Sequence, residues 1–348
     1  MNIRSLMRKD LIHIKPYTTA RDEFAGPASV YLDANENPYP SAYQRYPDPH
    51  HKLLKRSLSA YKKVPPSQIL FGNGSDEIID LLIRAFCEPA KDHVIIPQPT
   101  YGMYSVCAQI NHIAVRTPSL TATFDLDVEE IMDQVDGNSK ILFLCSPNNP
   151  SGNLLSNNHV KDLLSRFGGL VVIDEAYIDF APSASFLPQL QQYPNLVIVQ
   201  TFSKAWGLAG LRLGVCFAQP DIIDLLGRIK PPYNINTITQ EIALNYISHY
   251  TQKERWVEDT VKERDKLQTA LQCLRPVKEV FLSSANFLLV RFDDAKAIYN
   301  YLAQNGIVVR DRSSLRHCND CLRITVGTAA ENSLLIDFLK KYEKTTFY

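Results

Sequence analysis

No uncharged apolar run in this chain reaches the roughly 20 residues needed to span a bilayer. Met1 to Lys15 carries Arg4, Arg8, Lys9 and Asp10 without an apolar core, so it does not read as a secretory signal. Net charge is lacking as well, with 37 basic residues balanced by 37 acidic ones, and no overall field draws the chain to nucleic acid or an anionic membrane. The seven cysteines are scattered and odd in number, which argues against a complete disulfide framework. Only His317-Cys318-Asn-Asp-Cys321 has metal or redox spacing. Zinc would want a second pair of ligands, and no other Cys-x-x-Cys exists, so no metal is expected. Internal repeats and low-complexity tracts are missing too. What is present, 348 residues of which 45% are hydrophobic, suits a cytoplasmic protein of about two domains.

The stretch around which the rest is organised is Thr201-Phe-Ser-Lys-Ala-Trp-Gly-Leu-Ala-Gly-Leu-Arg-Leu-Gly214. Leu196 to Gln200 before it is apolar, β-branched and bounded by Pro194-Asn195, which predicts a buried strand. A lysine at the end of such a strand, if buried, loses hydration; its pKa falls and its amine becomes able to condense with a carbonyl. Lys204 has this position, and Arg212 is placed to hold an anion beside it. A surface lysine at a strand end is the plainer alternative.

Upstream, Gly72-Asn-Gly-Ser-Asp-Glu77 lies between the strand-like Gln68 to Phe71 and a helical Ile78 to Cys87. A glycine turn entering a helix, with Gly74, Ser75 and Asp76 at its start, is an anion cradle, because free amides and the helix dipole both favour a phosphate. An ordinary N-cap explains Ser75 equally well, and the turn lacks both the third glycine of a dinucleotide fingerprint and the Gly-Lys-Ser/Thr of a P-loop. Strand and helix then alternate. His93 to Ile96 leads to a turn at Tyr101 and a helix from Met103 to Ile110; Lys140 to Cys145 leads to Ser146-Pro-Asn-Asn-Pro-Ser-Gly152 and a helix capped near Ser156; Leu170 to Ile173 leads to Asp174-Glu-Ala-Tyr177. This order predicts an α/β fold with a mainly parallel sheet between helices, its function gathered at the carboxyl ends of the strands. Tyr101, Asn149, Asp174, Tyr177 and Lys204 belong to that rim. Asp174-Glu175 also fits a Walker B strand, which the missing phosphate-binding lysine loop argues against.

The flanks differ from this centre. The turn-rich N-terminal segment up to Tyr46 shows little helical period and must lie against something larger, such as a second subunit. A helix is expected over Leu53 to Tyr61, ended by Pro65-Pro66. After Pro220 come long helices, then a smaller α+β segment with strands at Asn286 to Arg291, Gly306 to Arg310 and Leu322 to Val326, and helices at Asp294 to Gln304 and Ala329 to Lys341. The expected division is an arm and part of the small domain over 1–46, a large domain over 47–240 and the rest of the small domain over 241–348.

Ser-Pro-Asn-Asn-Pro-Ser-Gly152, Asp174-Glu-Ala-Tyr177, Ser203-Lys204 and Arg212 together resemble the fold-type I pyridoxal-phosphate aminotransferases. Leu32-Asp-Ala-Asn-Glu-Asn-Pro38, Arg45-Tyr-Pro47, Pro99-Thr-Tyr-Gly-Met-Tyr104, Arg310-Asp311 and Cys321-Leu-Arg-Ile-Thr-Val-Gly-Thr328 narrow the resemblance to the histidinol-phosphate aminotransferases, over almost the whole chain. Two departures are small: Ser151 stands where threonine is usual, and the phosphate turn reads Gly-Asn-Gly-Ser-Asp.

The resemblance implies pyridoxal phosphate as cofactor and amino transfer between glutamate and imidazole acetol phosphate. It implies that Lys204 binds the cofactor covalently and moves protons, that Asp174 pairs with the pyridine nitrogen, and that Asn149 and Tyr177 hold the phenolic oxygen. Tyr101 would cover the ring, while Gly74, Ser75, Asp76, Thr201, Ser203 and Arg212 would cradle the phosphate. Tyr46 would reach that phosphate from the neighbouring subunit of a homodimer and border the substrate. Tyr17, Asn149, Arg310 and Arg323 would complete the substrate site. A related threonine-phosphate decarboxylase and a cofactor-binding regulator without catalysis are the rival readings.

Overall fold

The computed structural model describes residues 3–347 apart from 20–22, 25 and 27. Seven strands make the larger sheet: β1 (Ile69–Asn73), β2 (His93–Ile95), β3 (Ala114–Arg116), β4 (Ser139–Cys145), β5 (Leu170–Asp174), β6 (Leu196–Thr201) and β7 (Leu213–Phe217). Their spatial order is β1-β7-β6-β5-β4-β2-β3. Strands β2 to β6 run parallel, while β7 is antiparallel to both neighbours, β6 and β1. The expected mainly parallel sheet is therefore present.

The middle strands are apolar on both faces because both faces are covered. Leu142, Leu144, Val171, Ile173 and Ile198 join one core cluster, and Ile141, Phe143, Val172, Val197 and Val199 join another. Around the sheet lie α1 (Lys52–Lys62), α2 (Gly74–Phe86), α3 (Met103–Ile110), α4 (Val128–Asp133), α5 (Asn157–Arg166) and α6 (Pro220–Ile229). α1 ends at Lys62 with Lys63 in the left-handed region (φ 59°), before the proline pair expected to stop it. α2 begins four residues earlier than the expected Ile78, at Gly74, so the glycine turn is itself the first helical turn. Ser156 occupies the N-cap of α5, but its side chain makes no capping bond.

Helices α7 (Thr237–Ser248) and α8 (Tyr250–Gln272) lead into a four-stranded sheet of order β10-β11-β9-β8, with β8 (Val277–Val280), β9 (Phe287–Phe292), β10 (Arg310–Asp311) and β11 (Cys321–Thr325) all antiparallel. Helices α9 (Ala295–Gln304) and α10 (Ala329–Phe347) cover it, and Leu267, Leu288, Val290, Ile298, Leu322 and Leu339 share its core. Asp294 caps α9 by accepting the Ala297 amide. Two expectations need correction here. The strand expected over Gly306 to Arg310 is only Arg310–Asp311: Ile307 and Val309 pack against the small-domain core, but residues 306–309 make no ladder pairing with a neighbouring strand. Val277–Val280, mixed in polarity at the sheet edge, is a strand that the sequence reading missed.

The arm divides in two. Ile3 and Met7 are buried against the body, where the Arg8 amide donates to Ala85 O at 3.0 Å. Farther along, Val30, Leu32, Tyr39 and Tyr43 are exposed. Among the described residues, no helix is long and apolar enough to cross a membrane, and no group of three or more metal-ligating side chains occurs. All seven cysteines are unpaired, six of them buried.

Candidate active site

Ten of the expected residues line one pocket at the carboxyl ends of β4, β5 and β6: Ser75, Asp76, Tyr101, Asn149, Asp174, Tyr177, Thr201, Ser203, Lys204 and Arg212. Parallel strands and short connections bring them there, although they span 138 positions of sequence between Ser75 and Arg212.

The end of β5 places Asp174 inside the pocket, 3% exposed. Its Oδ2 accepts from the Tyr104 hydroxyl at 2.7 Å, and its Oδ1 accepts from the Ala176 amide at 3.0 Å. Burial pushes its pKa up to about 6 against the two hydrogen bonds, which pull it down. Tyr104 was quoted in the family motif without a role; it is wholly buried and stacks on Phe143 with centroids 5.0 Å apart. The adjacent Glu175 has another task. It accepts from Ser185 Oγ at 2.8 Å, the Phe186 amide at 2.6 Å and Gln200 Nε2 at 2.8 Å, which ties down the loop after β5. Three neutral donors satisfy Glu175, so the Asp-Glu pair is not arranged as a Walker B metal site.

Opposite Asp174, the first turn of α2 abuts β7. Gly214 pairs with Gly72 on one side and Thr201 on the other. A Cβ at Gly214 would lie 2.4 Å from the Ser75 nitrogen, and one at Gly74 (φ 78°) would lie 2.7 Å from Arg212 Nη2. The two glycines let the helix start, its unpaired amides and the arginine converge. The Gly74 amide donates to Arg212 O at 2.6 Å, fixing Arg212 in the left-handed region at φ 50°. Asp76 Oδ2 holds Arg212 Nη2 at 3.4 Å, and its Oδ1 accepts from Tyr101 Oη at 3.1 Å. Thr201 Oγ1 accepts the Ser203 amide at 3.1 Å and lies 3.0 Å from Ser203 Oγ. The arrangement is a polar cradle with a helix N-terminus at its base, suited to a phosphate.

Lys204 corrects one expectation, because it is exposed along the open pocket and not buried at the strand end. Its Nζ still lies over the Tyr177 ring, 5.5 Å from the centroid. Partial desolvation first, then the charges of Arg323 and Arg212, lower its pKa, while Asp174 opposes them. Tyr177 is 7% exposed, and burial raises its pKa, keeping the phenol a donor. Arg323, on β11, donates from Nη1 to Asn149 Oδ1 at 2.5 Å and sits over the Phe287 ring. With its oxygen occupied, Asn149 keeps Nδ2 as the group available to the pocket.

Arg310 stands directly opposite Arg323 in the β10–β11 register. Tyr17 and Tyr46 do not line the pocket of their own chain. Tyr17 borders a cleft with His51, Lys55 and Lys230, and Tyr46 stacks on Tyr233 at 4.5 Å. Lys230, the other lysine near a site loop, is enclosed by the carbonyls of Pro49, Pro231 and Pro232 and by Asn234 Oδ1, a structural knot.

Residues 27–339 match the family model of the class I and II aminotransferases. The histidinol-phosphate aminotransferase of Cytophaga hutchinsonii is 51% identical over 345 residues, covering 98% of this chain and 99% of its own. The crystal structure of the Clostridium acetobutylicum histidinol-phosphate aminotransferase superposes with a TM-score of 0.80 at 26% identity, covering 86% of this chain and 91% of that one. The Sinorhizobium meliloti histidinol-phosphate aminotransferase, solved with pyridoxal-5'-phosphate, has the same fold, with a TM-score of 0.79 at 23% identity over 86% of this chain and 83% of that one.

The raised pKa of Asp174 makes stability without cofactor depend on pH in a defined direction. Between its ordinary value of 3.8 and about 6, the folded chain keeps a proton that the unfolded chain releases. Stability from this group is therefore highest below about pH 4 and falls as pH rises through about 6, leaving a buried charge that costs on the order of 3 kcal/mol. Asp174→Asn keeps the shape and removes the charge. Without cofactor, this variant should be more stable than wild type at about pH 8, and the advantage should vanish near pH 4, as read by urea unfolding. An advantage that does not change with pH would contradict the assignment.

Proposed function

The chain belongs to the class I and II aminotransferases, and from that premise we propose that it moves an amino group from glutamate to imidazole acetol phosphate, giving histidinol phosphate and 2-oxoglutarate. The reading is carried by a buried carboxylate, a lysine with a lowered pKa and an arginine–asparagine pair meeting around one pocket. Identity of 51% to a histidinol-phosphate aminotransferase supports the choice of substrate.

The pocket fits pyridoxal phosphate. Gly74 and Gly214 let the start of α2 and Arg212 approach each other without a Cβ between them, and the donors gathered there suit a doubly charged anion. When bound, this cofactor supplies a protonated ring that withdraws electrons from the substrate's α-carbon. Arg212, Ser75, Thr201 and Ser203 would hold the phosphate, with hydrogen bonds to a charged group contributing roughly 1.5–3 kcal/mol each. Asp76 would act through its backbone amide, its carboxylate being engaged in orienting Arg212 and Tyr101. Asp174, with an elevated pKa of its own, would keep the pyridine nitrogen protonated by offering it a charge partner in a dry site.

Asn149 Nδ2 and the Tyr177 hydroxyl would donate to the phenolic oxygen. Lys204 Nζ, its pKa lowered, would hold the cofactor by condensing with its carbonyl carbon with loss of water, and once displaced by the amino donor would take the α-proton as base and deliver it as acid to the cofactor carbon. Arg323 would grip the glutamate carboxylate in a bidentate fork, and Arg310 would add charge for the phosphate ester. We also place the chain in the cytoplasm.

Purified protein given histidinol phosphate and 2-oxoglutarate should form glutamate without releasing carbon dioxide, and Lys204→Ala should form none while remaining folded. Carbon dioxide release would favour the related decarboxylase, and the absence of any turnover would favour a regulator.

The exposed apolar arm and the absence of Tyr46 from the lining of its own pocket support a homodimer in which each arm serves the partner's site. Mixing Tyr46→Ala with Lys204→Ala subunits should then restore part of the activity, because one of the two sites in the mixed dimer carries neither defect. Confirmed subunit exchange without recovery would place Tyr46 outside the partner's site.

A further inference from the structure

Beyond the residues already named, one cation near the pocket has no assigned work. Arg310 and Arg312 flank Asp311, and alternation in an extended segment turns them to one side. Asp311 faces the other way and accepts the Ser313 amide at 2.8 Å. Pairing with β11 continues past the strand, since the Arg312 amide donates to Cys321 O at 2.9 Å, and this sets Arg312 beside the strand that carries Arg323. The Arg312 side chain is half-buried, and its Nε has no hydrogen-bond partner among the described residues. None of the three arginines forms an ion pair with a described carboxylate. Arg310 and Arg323 face each other across the ladder, where like charges repel. Arg312 adds a third charge to the group: burial, then Arg323 and Arg310, lower its pKa, and Tyr177 of the pocket opposes them. Three guanidinium groups gathered here, with Asp311 acting on Arg312 only through charge at longer range and no carboxylate among the described residues in ion-pair contact, form a site for a multiply charged anion brought by the substrate.

We propose that Arg312 is the third cation of the substrate pocket and that it sets the preference for a substrate bearing a phosphate monoester. This inference rests on the functional reading above. A carboxylate engages one fork, as Arg323 offers, whereas a phosphate dianion has oxygens for more than one guanidinium and gains from a planar donor beyond Arg310 and Arg323.

The test is a cycle between the residue and the substrate's phosphate, using the cofactor-loaded enzyme. Single-turnover rates over a range of concentrations are measured for histidinol phosphate and for histidinol, with wild type and with Arg312→Gln. Wild type should prefer the phosphorylated compound strongly. In Arg312→Gln that preference should shrink about tenfold or more, the loss appearing in half-saturation and not in the limiting rate. Where Arg312→Gln does not fold, Arg312→Lys, which keeps the charge and loses the fork, should show the same change on a smaller scale. Equal losses on both compounds, or none, would overturn the inference while leaving the functional reading intact. A wild type indifferent to the phosphate would overturn that reading, and this inference with it.

Discussion

A carboxylate at the end of β5, buried beyond the reach of bulk water, is the constraint on which the pocket depends. Asp174 has two hydrogen-bond donors, Tyr104 and the Ala176 amide, and these do not offset the loss of hydration. Such a site is destabilising by itself and becomes favourable only when a positive partner occupies the pocket. The cofactor's pyridinium is that partner in our reading. Binding the cofactor and relieving the buried charge are then one event, which explains why the carboxylate is placed so deep.

The rest of the architecture serves the same alignment. Parallel strands bring β4, β5 and β6 to one rim, and the single antiparallel strand β7 lets the start of α2 approach through Gly214 and Gly74. The phosphate cradle and the carboxylate thus sit on one rigid sheet. The arginines proposed to meet the substrate come instead from the smaller sheet, and Arg323 is linked to the larger one through Asn149. In our reading that hydrogen bond would join recognition of the α-carboxylate by Arg323 to the residue that would hold the cofactor's phenolic oxygen.

Much of this was legible in sequence wherever one local rule dominated. The unbroken apolar runs at 141–144, 170–173 and 196–199 read as strands buried on both faces, and the structure gathers polar residues after them around one pocket. The glycine turn at 72–77 leads into a helix beside Arg212 as expected, but α2 starts at Gly74, four residues before Ile78, because the weak helical preference of Gly74 and Ser75 is overridden by contact with β7. Tyr104 stayed without a role because its partner lies 70 positions away and no spacing rule connects them. Arg312 was missed for a similar reason, since its setting depends on the β10–β11 register. Lys204 was expected to be buried; the open pocket exposes it, and neighbouring cations contribute to its lowered pKa. Tyr46 lies in a family motif and Tyr17 answers to a family position, yet one chain does not bring them to its own pocket.

The central claim is that Asp174 holds a protonated pyridine ring against it. Nitrogen NMR of isotope-labelled pyridoxal phosphate bound to the protein tests this directly. From about pH 6 to about pH 9, the ring nitrogen should keep its protonated signal throughout, because the buried carboxylate raises its pKa well above that of the free cofactor. A signal that moves to the deprotonated position within that range would contradict the account.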